Sequence, residues 1–193
     1  MSARNDILAR IRAHQPAPTA LPPIPAFATG GEVRDRFKAG VERMGGRVVE
    51  APARTPLEAL IRELHPQAKV VCSAAAEVKG NRKLDPARPA LLEDVDVGVA
   101  RAVFGVAETG SVWLTEAELG APALGFLSQH LVVLLDPARI LGNMHDAYRE
   151  RAQFDAGYGI FMTGPSATAD IEGVLIHGAQ GIRSLTIVLA RDS

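Results

Sequence analysis

His130-Leu131-Val132-Val133-Leu134-Leu135 is apolar from its second residue on and runs into Asp136-Pro137. A strand with one face in water alternates polar and apolar side chains. An unbroken run of β-branched and aliphatic residues is the pattern of a strand covered on both faces, as in a parallel α/β sheet. Asp136 and Pro137 suit an N-cap and a first helical turn, so a helix with Ile140, Leu141, Met144 and Tyr148 facing inward is expected next. His145 and Asp146 on that helix lack metal-binding spacing.

Upstream, the same kind of element recurs in alternation. Thr29-Gly-Gly-Glu32 fits a capping box, and Val33, Phe37, Val41 and Met44 follow at helical spacing until Gly45-Gly46. Arg47 to Ala51 reads as a strand. Thr55-Pro56-Leu57-Glu58 then supplies a second capping box for a helix that buries Leu57, Leu60, Ile61 and Leu64, and Lys69 to Ser73 is the next strand. Ala74 to Leu92, broken by Gly80, Asn81, Pro86 and Pro89, reads as a helical turn and loop. Val95, Val97 and Val99 alternate with Asp94, Asp96 and Gly98. Those two carboxylates suit a divalent cation, acid–base work or plain solvation. Tyr158 to Met162 and Ser184 to Ala190 complete the strands. The order predicts an α/β fold: an open, largely parallel sheet with helices on both faces.

The 193 residues, 47% hydrophobic, are enough for one core spanning residues 29–193, preceded by an arm of residues 1–28. In the arm, Ser2 can cap a short helix with Ile7, Leu8 and Ile11 on one face. Pro16, Pro18, Pro22, Pro23 and Pro25 make the following strap extended. So short a helix needs a surface to dock on, either its own core or a partner. A net charge of -1 gives no support to a nucleic-acid or anionic-membrane partner. With Cys72 the single cysteine, neither a disulfide framework nor an iron–sulfur cluster can be built from this chain, and no metal site is expected. The basic N-terminus without an apolar run is not expected to be a secretory signal, and no run has membrane-spanning length, so a cytoplasmic location is expected.

Two stretches carry candidate chemistry. Phe104-Gly-Val-Ala-Glu108-Thr109-Gly110-Ser111-Val-Trp-Leu-Thr115 sets a carboxylate, hydroxyls and a glycine between two β-prone runs. Thr163-Gly164-Pro-Ser166-Ala-Thr168-Ala-Asp170-Ile-Glu172 reads as a strand-to-helix turn whose backbone N–H groups suit an anion. Glu108 is the candidate catalytic or ligand-orienting carboxylate. Thr109, Gly110 and Ser111 would shape its turn, and Gly164, Ser166 and Thr168 would donate to a small anionic ligand, with Asp170 capping. The alternative is that these residues only satisfy one another.

Taken together, Ala107-Glu-Thr-Gly-Ser111 and Gly164-Pro-Ser-Ala-Thr-Ala-Asp-Ile-Glu172 resemble the lactate utilization protein C family, also called LUD-domain proteins, over roughly Asp94 to Ala190. This chain has Ala167 where that family usually has Arg. It has Gln180 and Ile182 where His and Pro are usual. The resemblance implies a fold similar to the CoA-transferase, ribose-phosphate isomerase and glucosamine-phosphate deaminase group. It also implies an accessory role in oxidising L-lactate to pyruvate beside partner subunits that carry the iron–sulfur clusters. The competing class is an isomerase or CoA-transferase-like enzyme with Glu108 as base or nucleophile.

Overall fold

A computed structural model describes residues 3–17, 19, 20, 22, 25, 27, 28, 30–52, 55–150, 155–168, 176, 177 and 180–191. In chain order its elements are α1 (Ala3–Ala13), α2 (Val33–Arg43), β1 (Arg47–Glu50), α3 (Leu57–Leu64), β2 (Val71–Ser73), β3 (Val97–Arg101), β4 (Phe104–Val106), β5 (Ser111–Thr115), α4 (Glu116–Leu119) and α5 (Leu124–Leu127). There follow β6 (His130–Leu135), β7 (Ile140–Leu141), α6 (Met144–Arg149), β8 (Gly159–Met162), β9 (Ala167–Thr168), β10 (Ile176–His177) and β11 (Ser184–Leu189).

The main sheet has the order β1-β11-β6-β3-β2, and every pairing in it is parallel. Its strands alternate between two cores, as a pleated strand must when both faces are covered. Leu131, Val133 and Leu135 of β6 and Leu185, Ile187 and Leu189 of β11 face a core that holds Phe37 and Val41 of α2. Val132, Leu134 and Val188 point the other way, onto Leu60 and Ile61 of α3. Helices therefore lie on both faces, in agreement with the sequence. Phe37 is fully buried, and removing so large a side chain typically costs about 3–5 kcal/mol.

A second sheet, β7-β4-β5-β8, shares the α2 face. β4 and β5 form an antiparallel hairpin, β8 pairs antiparallel with β5, and β7 joins β4 in parallel. Trp113, Phe104 and Phe161 cluster on it.

Several local expectations are corrected. Asp136 does accept a hydrogen bond from the Ala138 N–H, at 2.9 Å, but only a single 3-10 turn, Pro137–Arg139, follows. Ile140 and Leu141, expected inside a helix, pair instead with Gly105 and Val106 of β4, so a strand replaces the first turns. The helix begins at Met144, and Tyr148 is 60% exposed rather than inward. α2 has Glu32 as its N-cap, without a side-chain cap bond, and the capping box expected before α3 does not form, Pro56 being the N-cap there. Glu58 accepts from the Lys79 N–H instead, while Thr29 and the expected Ser2 cap lie outside the described residues. A capping box does form at Thr115 and Glu118, opening α4. Beyond Ser166 the chain enters β9, which pairs antiparallel with β10, so the strand does not lead directly into a helix there.

Candidate functional site

The β4–β5 hairpin turns through Glu108, Thr109 and Gly110, closed by the Gly110 N–H donating to Val106 at 2.9 Å. Gly110 has φ +70, and a Cβ there would stand 2.3 Å from the Gly40 carbonyl carbon, so the turn lies directly on the backbone of α2. Ser111 donates to the Thr109 hydroxyl at 2.6 Å and shares a hydrogen bond with Thr163, also 2.6 Å. Glu108 is exposed; its Oε2 accepts from the Met144 N–H at 2.9 Å, and its Oε1 has no hydrogen-bond partner among the described residues. A carboxylate at the first N–H of α6 stabilises that helix terminus, alongside Asn143, whose Oδ1 accepts from the Asp146 N–H. His145 stacks on Phe27, with centroids 4.6 Å apart.

The second turn meets the first. Val112 pairs with Met162, which sets Ser111 opposite Thr163. Gly164 has φ +68, and a Cβ on it would lie 2.1 Å from the Met44 carbonyl oxygen. Gly40 and Met44 stand four positions apart in sequence at the end of α2, where such positions share a helix face. One helix end thus seats both turns. Ser166 does not offer donors to an anion: its hydroxyl donates to the Gln180 carbonyl, and its N–H donates to Ile182 at 3.0 Å. Ile182 precedes β11, so this loop borders the amino edge of the main sheet rather than the crevice at its carboxyl edge. The strand before it belongs to the second, antiparallel sheet. Thr168 lies in β9, and Asp170 lies outside the described residues.

The carboxyl edge, where open α/β sheets hold ligands, carries a cleft of about 600 Å3 between the ends of β2 and β3. Glu77, Arg101, Glu118 and Arg139 are its charged lining. Arg101 is paired with Glu77 and also donates to the Ala190 carbonyl at 3.4 Å. Glu118 is held by Thr115. Arg139 makes longer contacts, 3.4 Å to the Val103 carbonyl and 3.7 Å to Glu150, with its side chain 41% exposed. Sequence reasoning did not single out either arginine. The available signal was position: Arg101 ends an alternating strand, and Arg139 follows the strand that ends at Leu135.

The remaining candidates have structural partners. Asp94 forms a two-toothed pair with Arg82, at 2.7 and 2.6 Å, which lowers its pKa. Asp96 accepts from the Val70 and Lys69 N–H groups, which hold its pKa down. No cluster of three metal-ligating side chains occurs among the described residues. Cys72 is fully buried, and burial raises its thiol pKa.

Residues 88–190, more than half of the chain, match the LUD domain. The chain belongs to the LUD-domain family. It is similar to lactate utilization protein C of Geobacillus kaustophilus, 26% identical over 175 residues covering 85% of this chain and 71% of that protein. The protein of the same name in Geobacillus thermodenitrificans is 25% identical over the same shares. An uncharacterized protein of Neisseria meningitidis serogroup B is 28% identical over 110 residues, 55% of this chain, so the match spans 47% of that relative's length. A crystal structure of a DUF162 family protein from Deinococcus radiodurans aligns with a TM-score of 0.60 at 16% identity, covering 81% of this chain and 95% of that one, and supports the fold.

The matched LUD range contains Glu108 to Ser111, Gly164 to Thr168, Arg101 and Arg139, whereas α2, which seats both turns, lies upstream of it.

Proposed function

We propose that this LUD-domain chain is an accessory subunit of an L-lactate oxidation system, working with partner proteins that carry the iron–sulfur clusters, in the cytoplasm. The observation that carries this reading is the similarity to lactate utilization protein C across 85% of the chain. Oxidising lactate to pyruvate removes two electrons, and those electrons need an acceptor. The single thiol, Cys72, is sealed among Leu92, Val95 and Leu124, so a cluster has to be supplied by another chain.

Two further features support an accessory role. α1 has no buried residue, with Ile7 59% and Ile11 55% exposed, which leaves an apolar helix face for a partner. The carboxyl-edge cleft offers the Arg139 guanidinium to a small carboxylate, the group that lactate and pyruvate share.

Affinity capture of the chain from its native cells grown on L-lactate tests the reading. Recovery with iron–sulfur proteins, seen as acid-labile sulfide and iron in stoichiometric amount, is the expected result; recovery always alone would contradict it. The second reading, a small-molecule enzyme that uses Glu108, draws on the exposed carboxylate, one oxygen of which has no partner among the described residues, beside the Thr109–Ser111–Thr163 hydroxyl chain. In that reading Glu108→Gln abolishes activity while the fold persists.

A further inference from the structure

The amino edge of the main sheet has a cleft of its own, of about 360 Å3, within the range of small-molecule sites. It lies where α3 ends and where β3, β6 and β11 begin, at the opposite edge from Arg101 and Arg139. His65 and His130 stand in it with ring centroids 4.7 Å apart. His130 Nδ1 shares a 2.7 Å hydrogen bond with the Ser184 hydroxyl, which fixes the ring. His65 Nε2 is buried and has no hydrogen-bond partner among the described residues, and a buried polar atom left so is costly unless something supplies one.

Charge around the cleft is unbalanced. Arg183 lines it, and neither Arg183 nor Arg47, which acts on His65 from the start of β1, has an ion-pair partner among the described residues. The carboxylate in the lining, Asp96, already receives the Lys69 and Val70 N–H groups at 2.7 and 2.8 Å. The side-chain amides of Gln67 and Gln129 complete the polar wall.

We propose that this amino-edge cleft binds a phosphate-bearing anion, held by the Arg183 guanidinium and the imidazoles of His65 and His130. Donors of three kinds, imidazole, guanidinium and amide, approach from separate elements. A tetrahedral oxyanion accepts from several directions at once, whereas a planar carboxylate is satisfied by one guanidinium fork. The anion would bring the negative charge that neither Arg47 nor Arg183 finds among the described residues. The loop at Ser166 borders this cleft through Ile182, next to Arg183.

The test is histidine-ring NMR of the full chain during titration with inorganic phosphate, with chloride at equal ionic strength as control. Saturable, phosphate-specific upward shifts in the titration midpoints of His65 and His130 are expected. Arg183→Gln, an exposed position, should weaken phosphate binding by about tenfold or more without changing the melting temperature, while Arg139→Gln in the other cleft leaves it intact. Glycerol 3-phosphate forms a second arm: tighter binding than inorganic phosphate assigns the site to an organic phosphate, and equal binding assigns it to the free ion. No saturable shift with either, equal shifts in chloride, or full retention in Arg183→Gln would overturn the proposal.

Discussion

Gly110 and Gly164 carry the tightest constraints in the two turns. Each has positive φ, and each presses a Cα against the α2 backbone where a methyl group would overlap. Gly110→Ala and Gly164→Ala should each destabilise the chain by about 3 kcal/mol or more, through left-handed strain plus overlap with groups that cannot rotate away. Gly30→Ala, where a Cβ meets nothing within 4 Å, should stay within about 0.5 kcal/mol; urea unfolding followed by circular dichroism compares the three. The glycines were legible in sequence as turn formers. Their partner was not, because Gly40 and Met44 lie far upstream in an ordinary amphipathic helix. His65 and His130 make stability depend on pH. Burial lowers both pKa values, reinforced at His65 by His130 and Arg47, and at His130 by Arg183 against the opposing pull of Asp96. Below the ordinary histidine value of about 6.5 the unfolded chain therefore binds more protons than the folded one. Stability should be full above that pH and fall as pH drops through it. His65→Gln should flatten the pH dependence of the melting temperature between about pH 7 and 5; an unchanged slope would contradict the assignment.

At the scale of elements, what was legible followed from periodicity. An unbroken apolar run gave β6, and helical spacing gave α2 and α3. The failure after Asp136-Pro137 has a definite cause: Ile140 and Leu141 satisfy a helical stripe and an edge strand equally well, and β4 needed a parallel neighbour. The hairpin strands were recognised, but their membership of a second sheet depends on long-range pairing with β8 that local pattern does not encode. The arm behaves differently. Because α1 buries none of its residues, deletion of residues 1–13 should leave the melting temperature unchanged within about 1 °C, since no core area is removed. The proposed role adds that the truncated chain loses its iron–sulfur partners in affinity capture. A large drop in melting temperature would show that the arm supports its own core.

For the whole molecule, the parallel sheet places its charged clefts at opposite edges, Arg101 and Arg139 at one and His65, His130 and Arg183 at the other. Neither set stood out in the sequence, since isolated arginines and histidines acquire meaning only when strand ends gather them. The turn motifs did stand out, and they meet on α2 through backbone contacts and hydroxyl bonds. Growth of the native organism on L-lactate as sole carbon source tests the proposed role of this chain in lactate oxidation. Removing this chain should abolish that growth while growth on pyruvate continues, and supplying the wild-type chain or Glu108→Gln should restore it. Undiminished growth on L-lactate without the chain would exclude that role.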